Sequence, residues 1–168
     1  MVLKEVIGDL LVSECDVICH QVNCQGFMNF GVSKAIRRKF PLAFEQYSRF
    51  LYTNTIVDGG IKKNTREFLG LCMISKARGD KYIASLFGQD TYGAEEGKQY
   101  TNYDALLCSL FALRRLVLFG GYDIKSIAFP YGLGSGKGGG GDWAKIFDMI
   151  KAVFHDLDIT IEIRKMDV

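Results

Sequence analysis

The sequence predicts an α/β fold, a three-layer α/β/α sandwich, from three observations. Short apolar runs of strand length alternate with segments of helical period. Those runs are apolar at consecutive positions, as strands covered on both faces are. Late in the chain a strand, a glycine-rich loop and a helix follow one another. With 168 residues, 48% hydrophobic and 12% aromatic, the chain reads as a single domain over 1–168 with an ample core.

Each element has its own signal. Residues 2–6 read as a first strand and 16–22 as a second, almost wholly apolar until His20 and Gln21. Residues 31–40 set Val32, Ala35, Ile36 and Phe40 against Lys34, Arg37, Arg38 and Lys39, which makes an amphipathic helix, continued after Pro41 by 43–51. Arg37-Arg38-Lys39 is its solvated face, or else a patch that steers a polyanion. Residues 68–76 and 81–87 are the next strands, joined by an Arg78-Gly79-Asp80 turn. A long helix over 101–119 has Thr101 or Asn102 as cap and ends at Gly120-Gly121. A buried strand over 124–129 leads to the glycine loop. Asp142 then caps a helix with Trp143, Ile146, Phe147, Ile150, Val153 and Phe154 on its apolar face, and a last strand spans 158–163.

Seven of the ten residues from Gly132 to Gly141 are glycine. A loop of this kind between a strand and a helix N-terminus brings backbone N–H groups and the helix dipole to an anion. The competing reading is a flexible surface hairpin. A P-loop is excluded: Tyr131 stands where its first glycine belongs and Gly138 where its hydroxyl belongs. Gly134, Gly136 and Gly139 fit G-x-G-x-x-G, but a dinucleotide fold has its loop after the first strand rather than near the end.

A net charge of +2 gives no basic stripe for duplex DNA, and no apolar run is long and uncharged enough for a signal peptide or membrane span. Five cysteines without framework spacing point to a reducing, cytoplasmic setting. Cys15, Cys19, His20 and Cys24 lack a paired C-x-x-C, so neither a metal site nor a cofactor is expected. Nothing in the sequence sets an oligomeric state.

Ligands of such sheets lie at the carboxyl ends of the strands. Besides the glycine loop, three segments fall there: residues 8–11, 23–31 and 87–90. The second has spaced glycines and two asparagines before a helix, so it forms a second anion cradle facing the first. Two cradles suit a diphosphate. A carboxylate near one end suits the exocyclic amine of adenine, and Asp9 supplies it unless it is only a turn cap.

On these residues the chain resembles the macrodomain family. The motifs are Val6-Ile7-Gly8-Asp9-Leu10-Leu11, Asp16-Val17-Ile18-Cys19-His20-Gln21-Val22-Asn23-Cys24-Gln25-Gly26 leading to Gly31-Val32, and Phe129-Pro130-Tyr131-Gly132-Leu133-Gly134 through Gly141-Asp142-Trp143. Within the family the chain is similar to the branch of terminal ADP-ribose protein glycohydrolases and ADP-ribose 1″-phosphate phosphatases. The resemblance implies a mixed central sheet between helices and ADP-ribose, free or on a macromolecule, across the strand ends. It implies that Asp9 binds the adenine amine, that Asn23 hydrogen-bonds the distal ribose, and that Gly31 and Val32 cradle the diphosphate opposite Gly134, Ser135, Gly136, Lys137 and Gly138, with Leu10 and Phe87 also among the ligand-binding residues. Nucleic acid enters only as an ADP-ribosylated carrier.

The glycohydrolase branch uses a lysine after the strand ending at Phe87 and an acid in the glycine loop; here Gly88 and Gly138 or Gly139 stand near those positions. Lys137 comes from the other wall and does not replace that lysine. The remaining catalytic pair is His20, with a pKa near neutrality, and Asp90, which together would activate water. The alternative for His20 is a satisfied core histidine. The first expectation is therefore hydrolysis of an ADP-ribose derivative, and the second a module that binds ADP-ribose without turnover. Phe27, Phe30 and Phe87 wall the cleft or belong to the core, and residues 93–99, flanked by Tyr92, Tyr100 and Tyr103, form a loop that could serve as a lid.

Overall fold

Consecutive side chains of a strand point to opposite faces, so a strand apolar at every position must be covered twice. The computed structural model, which describes residues 1–167, satisfies this. The strands are β1 (Val2–Ile7), β2 (Val17–Asn23), β3 (Val57–Asp58), β4 (Ile61–Lys62), β5 (Cys72–Lys76), β6 (Tyr82–Gln89), β7 (Ser126–Pro130) and β8 (Thr160–Lys165). Six of them form a sheet of order β1-β8-β7-β2-β6-β5, parallel except for β5, which pairs antiparallel with β6 at the edge. The sheet is mixed, as the family resemblance implied.

The helices are α1 (Gly31–Lys39), α2 (Pro41–Asn54), α3 (Tyr103–Phe119) and α4 (Trp143–Phe154). Val17 and Cys19 of β2 pack with Leu106, Leu110 and Leu113 of α3 and Ile146 and Ile150 of α4. Ile18 joins Ile36 of α1, and Val22 joins Tyr47 and Leu51 of α2, on the other face. Each fully buried leucine or isoleucine contributes about 1.5–3 kcal/mol relative to exposure. These contacts fix two layers of helices around β2 and bring its last residues to the rim.

Three departures from expectation have a physical reason. The strand expected from residue 68 begins at Cys72, because Thr65–Phe68 form a 3₁₀ turn that buries Phe68 edge-on against Phe50. The long helix begins at Tyr103, with Asn102 as its cap, since Thr101 is drawn into a bridge with Gln89. The short ribbon β3–β4 was not foreseen: Val57 and Ile61 are both exposed, so no burial pattern announces it.

Candidate functional site

Adjacent strands β7 and β2 continue into helices on opposite faces, α4 after one and α1 after the other, and this divergence opens a crevice at their carboxyl ends. The crevice is a cleft of about 500 Å³ whose floor includes His20, Gln21, Asn23 and Gln89. One wall is formed by Phe27 and residues 30–33, the other by residues 130–134 and 136–139.

The first wall ends in a bare helix terminus. Phe30, the N-cap of α1, makes no side-chain cap bond. Among the described residues the N–H groups of Gly31, Val32 and Ser33 have no partner, while Lys34 N–H returns to Phe30 O at 3.1 Å. Two anchors hold this terminus. Buried Tyr47 donates to Asn23 O at 2.6 Å and accepts from Gly26 N–H at 3.2 Å, which fixes the loop after β2. Ser33 Oγ donates to Gln21 O at 3.2 Å and lies 3.0 Å from His20 Nδ1. With its hydrogen so used, Ser33 accepts from Nδ1–H, and Nε2 accepts from Ser85 Oγ, also 3.0 Å away. Burial drives the His20 pKa down to about 3, so the ring is neutral near pH 7.

The second wall turns its carbonyls inward. Gly134 O accepts from Thr101 Oγ1 at 2.7 Å and from Gly141 N–H at 2.9 Å. Gly138 O accepts from Gln89 Nε2 at 3.1 Å, and Gly139 O from the N–H groups of Tyr100 and Thr101 at 2.8 and 2.9 Å. Gly136 O takes the N–H groups of Gly139 and Gly140; because a trans peptide opposes N–H to C=O, Lys137 N–H points away from them. Among the described residues the N–H groups of Gly134, Gly136, Lys137 and Gly138 have no partner. A Cβ on Gly139 would collide with Gly134 O, so this fold of the loop requires glycine there.

Beneath both walls Gln21 joins β2 to β6. Its Nε2 donates to Gln89 Oε1 at 2.7 Å and to Thr101 Oγ1 at 2.9 Å. Thr101 gives its own hydrogen to Gly134, so the amide orientation is fixed and Gln21 Oε1 is left buried without a partner among the described residues. That oxygen faces Gly88, the extra residue of a bulge where Val22 pairs with Phe87 but Asn23 with Gln89. A side chain on Gly88 would strike Gln21 Oε1.

His20, Asn23, Phe27, Phe30, Gly31, Val32, Gly134, Gly136, Lys137 and Gly138 all line this cleft. Five expected residues do not. Phe87 is fully buried, tilted against Tyr47 and Phe50, because its position on β6 faces the α2 layer. Leu10 is buried in the core beneath α1. Ser135 donates back to Gly132 O at 2.7 Å within its own turn. Asp9 is exposed and accepts from Leu11 N–H at 2.9 Å, capping the turn after β1, two strand spacings or about 10 Å beyond β7.

Asp90 lines a separate cavity with Arg66, Lys98 and Tyr103. Its Oδ1 accepts from Gln25 Nε2 at 3.0 Å and its Oδ2 lies 3.9 Å from Arg66 Nη1. The expected pairing of a near-neutral His20 with Asp90 is therefore corrected on both counts: the histidine is held neutral and the carboxylate is turned away. The N-terminus of α4 carries its own cap, since Asp142 accepts from Ala144 N–H at 3.0 Å. Cys15, Cys19 and Cys24 fall in three different core clusters, and among the described residues no group of three or more His, Cys, Asp or Glu side chains could hold a metal ion. No helix among the described residues is long and apolar enough to cross a membrane.

Tyr47, Ser33, Ser85, Gln21, Gln89 and Thr101 escaped the sequence reading as site residues. A tyrosine on the buried face of a helix and a glutamine inside an apolar strand were the available signals, since each polar group needs a partner once buried.

No family model and no curated protein matches the chain. Solved structures do. A Bacteroides thetaiotaomicron protein of unknown function superposes with a TM-score of 0.78 at 21% identity, covering 98% of both chains. The macrodomain of Mycobacterium tuberculosis DarG gives 0.77 at 20% identity over 99% of each chain. Thermosipho africanus DarTG, solved in complex with ADP-ribose, gives 0.72 at 19% identity over 98% of this chain and 41% of that one. The fold of this chain is the macrodomain fold.

Proposed function

We propose that the cleft binds ADP-ribose and releases it unchanged. The observation that carries the reading is the pair of facing N–H arrays, one from the bare start of α1 and one from the glycine loop, which together suit a diphosphate. Asp9, with one carboxylate oxygen engaged by Leu11, keeps the other for the adenine amine at the β1 end. The distal ribose then lies toward β6, beside Asn23. The complex of Thermosipho africanus DarTG with ADP-ribose supports this choice of ligand.

The lining supports binding without turnover. None of the described residues in the cleft wall is Asp or Glu, and both ring nitrogens of the neutral His20 are already engaged, by Ser33 and by Ser85. Hydrolysis needs a group that takes or gives a proton within hydrogen-bond reach of the reacting atoms. Five free thiols suit a reducing, cytoplasmic compartment.

Calorimetric titration with ADP-ribose tests the reading, with a Kd near micromolar, about −8 kcal/mol, as the expected result. Undetectable binding at millimolar ligand sinks it. Incubation with ADP-ribose 1″-phosphate and with ADP-ribosylated protein should yield no product; turnover would restore the hydrolase alternative.

A further inference from the structure

The segment from Gln89 to Thr101 leaves and rejoins the sheet through the antiparallel bridge between those two residues, so its ends are closed as in an Ω-loop. One side of this strap rides on the glycine loop. Tyr100 and Thr101 donate to Gly139 O, Gln89 Nε2 reaches Gly138 O, and a Cβ on Gly140 would strike the Lys98 carbonyl. Its other side crosses to the opposite wall. There Tyr92 stacks on Phe27 with ring centroids 4.1 Å apart and planes 10° from parallel, and Phe27 in turn packs on Phe30 at 5.6 Å.

The strap thus joins wall to wall at the β6 end of the cleft, while Asp9 lies at the far end by β1. If adenine takes the β1 end, the sugar stops beneath the Phe27–Tyr92 stack. We infer that this stack closes the sugar end, so that the cleft selects a nucleoside diphosphate sugar with a free anomeric hydroxyl over one whose sugar is bonded to a macromolecule. The inference rests on the ADP-ribose reading above and specifies the class of ligand within it.

A chain attached to the anomeric carbon has to pass where the two rings meet. Separating a stacked aromatic pair costs about 2- to 10-fold in an equilibrium, and the tied ends of the strap add to that. Free ADP-ribose is therefore favoured by about tenfold or more over an attached one.

The test measures affinities of the whole chain for free ADP-ribose and for a serine-linked mono-ADP-ribosyl peptide. The wild type should prefer the free ligand by about tenfold or more, Tyr92→Ala should lower that ratio by about 2- to 10-fold, and Tyr92→Phe, which keeps the stack, should retain the wild-type ratio. Equal affinities in the wild type, or an unchanged ratio in Tyr92→Ala, overturn the closed end and leave ADP-ribose binding standing. Failure of every variant to bind free ADP-ribose overturns both.

Discussion

Two helices of this chain begin at loops rich in glycine, and they begin differently. α4 is capped by Asp142, whose carboxylate accepts from Ala144 N–H and places a negative charge at the positive end of the dipole. α1 starts after Phe30, which offers no side-chain oxygen, and keeps its first N–H groups bare toward the cleft. A strand–glycine loop–helix sequence invites the reading that the helix holds the anion. In this molecule the loop and the helix divide the roles: the glycine loop keeps its own N–H groups free, α4 sets its own carboxylate at its start, and the uncapped terminus comes from the opposite wall. A residue that caps a helix well has thereby withdrawn that terminus from anion binding.

The harshest way to break the contrast is Gly31→Glu, which sets a carboxylate at the bare terminus in a backbone conformation of φ 51°. ADP-ribose affinity should fall by at least about 100-fold, roughly 3 kcal/mol, with a cooperative melt retained. Binding at wild-type strength would mean that the diphosphate does not pass there.

A gentler substitution converts α1 into a copy of α4. Phe30 has the extended backbone of a cap residue, φ −129° and ψ 149°, so Phe30→Asp should cap the helix. Stability should rise by about 1 kcal/mol while affinity drops about tenfold, because the new carboxylate competes with the ligand. Thermal melts and titrations run side by side check the two opposed signs.

His20, which anchors the first wall through Ser33, gives the fold a pH dependence. Its pKa falls from 6.5 to about 3 on folding, so the unfolded chain binds the extra proton between those values. Stability contributed by the neutral ring is complete above pH 6.5 and declines on acidification toward pH 3. The limiting slope is about 1.4 kcal/mol per pH unit, and His20→Gln should remove it from a series of denaturant melts.

The smallest effect on binding belongs to Asp142→Ala. Loss of the α4 cap should cost about 1 kcal/mol of stability and leave ADP-ribose affinity within about twofold. A large loss of affinity would erase the distinction between the two termini.

The sequence carried the architecture because its signals were physical and redundant. The α1 face, the buried run of β2 and the apolar period of α4 each announce what they pack against. Asn23, Gly31 and Gly134 were legible because they sit at strand ends, where the loops must face. What stayed illegible depends on which side of the sheet a residue faces once bulges and turns are counted. The bulge at Gly88 is invisible in a string of letters, and so is the turn that points Asp90 into the neighbouring cavity. His20 looked reactive by type, but its two serine partners lie 13 and 65 residues away in sequence. The ribbon β3–β4 buries neither of its apolar side chains and so left no pattern to read.

A Cβ at position 88 would meet the Gln21 amide, which couples the two positions. Any side chain gained at 88, a nucleophilic lysine included, meets the Gln21 amide before it reaches the cleft. A side chain added there displaces the Gln21 amide, and that displacement bears on Gln89 and Thr101, which hold the glycine loop. A residue gained at 88 therefore alters the order of the glycine loop as well as the chemistry available from β6.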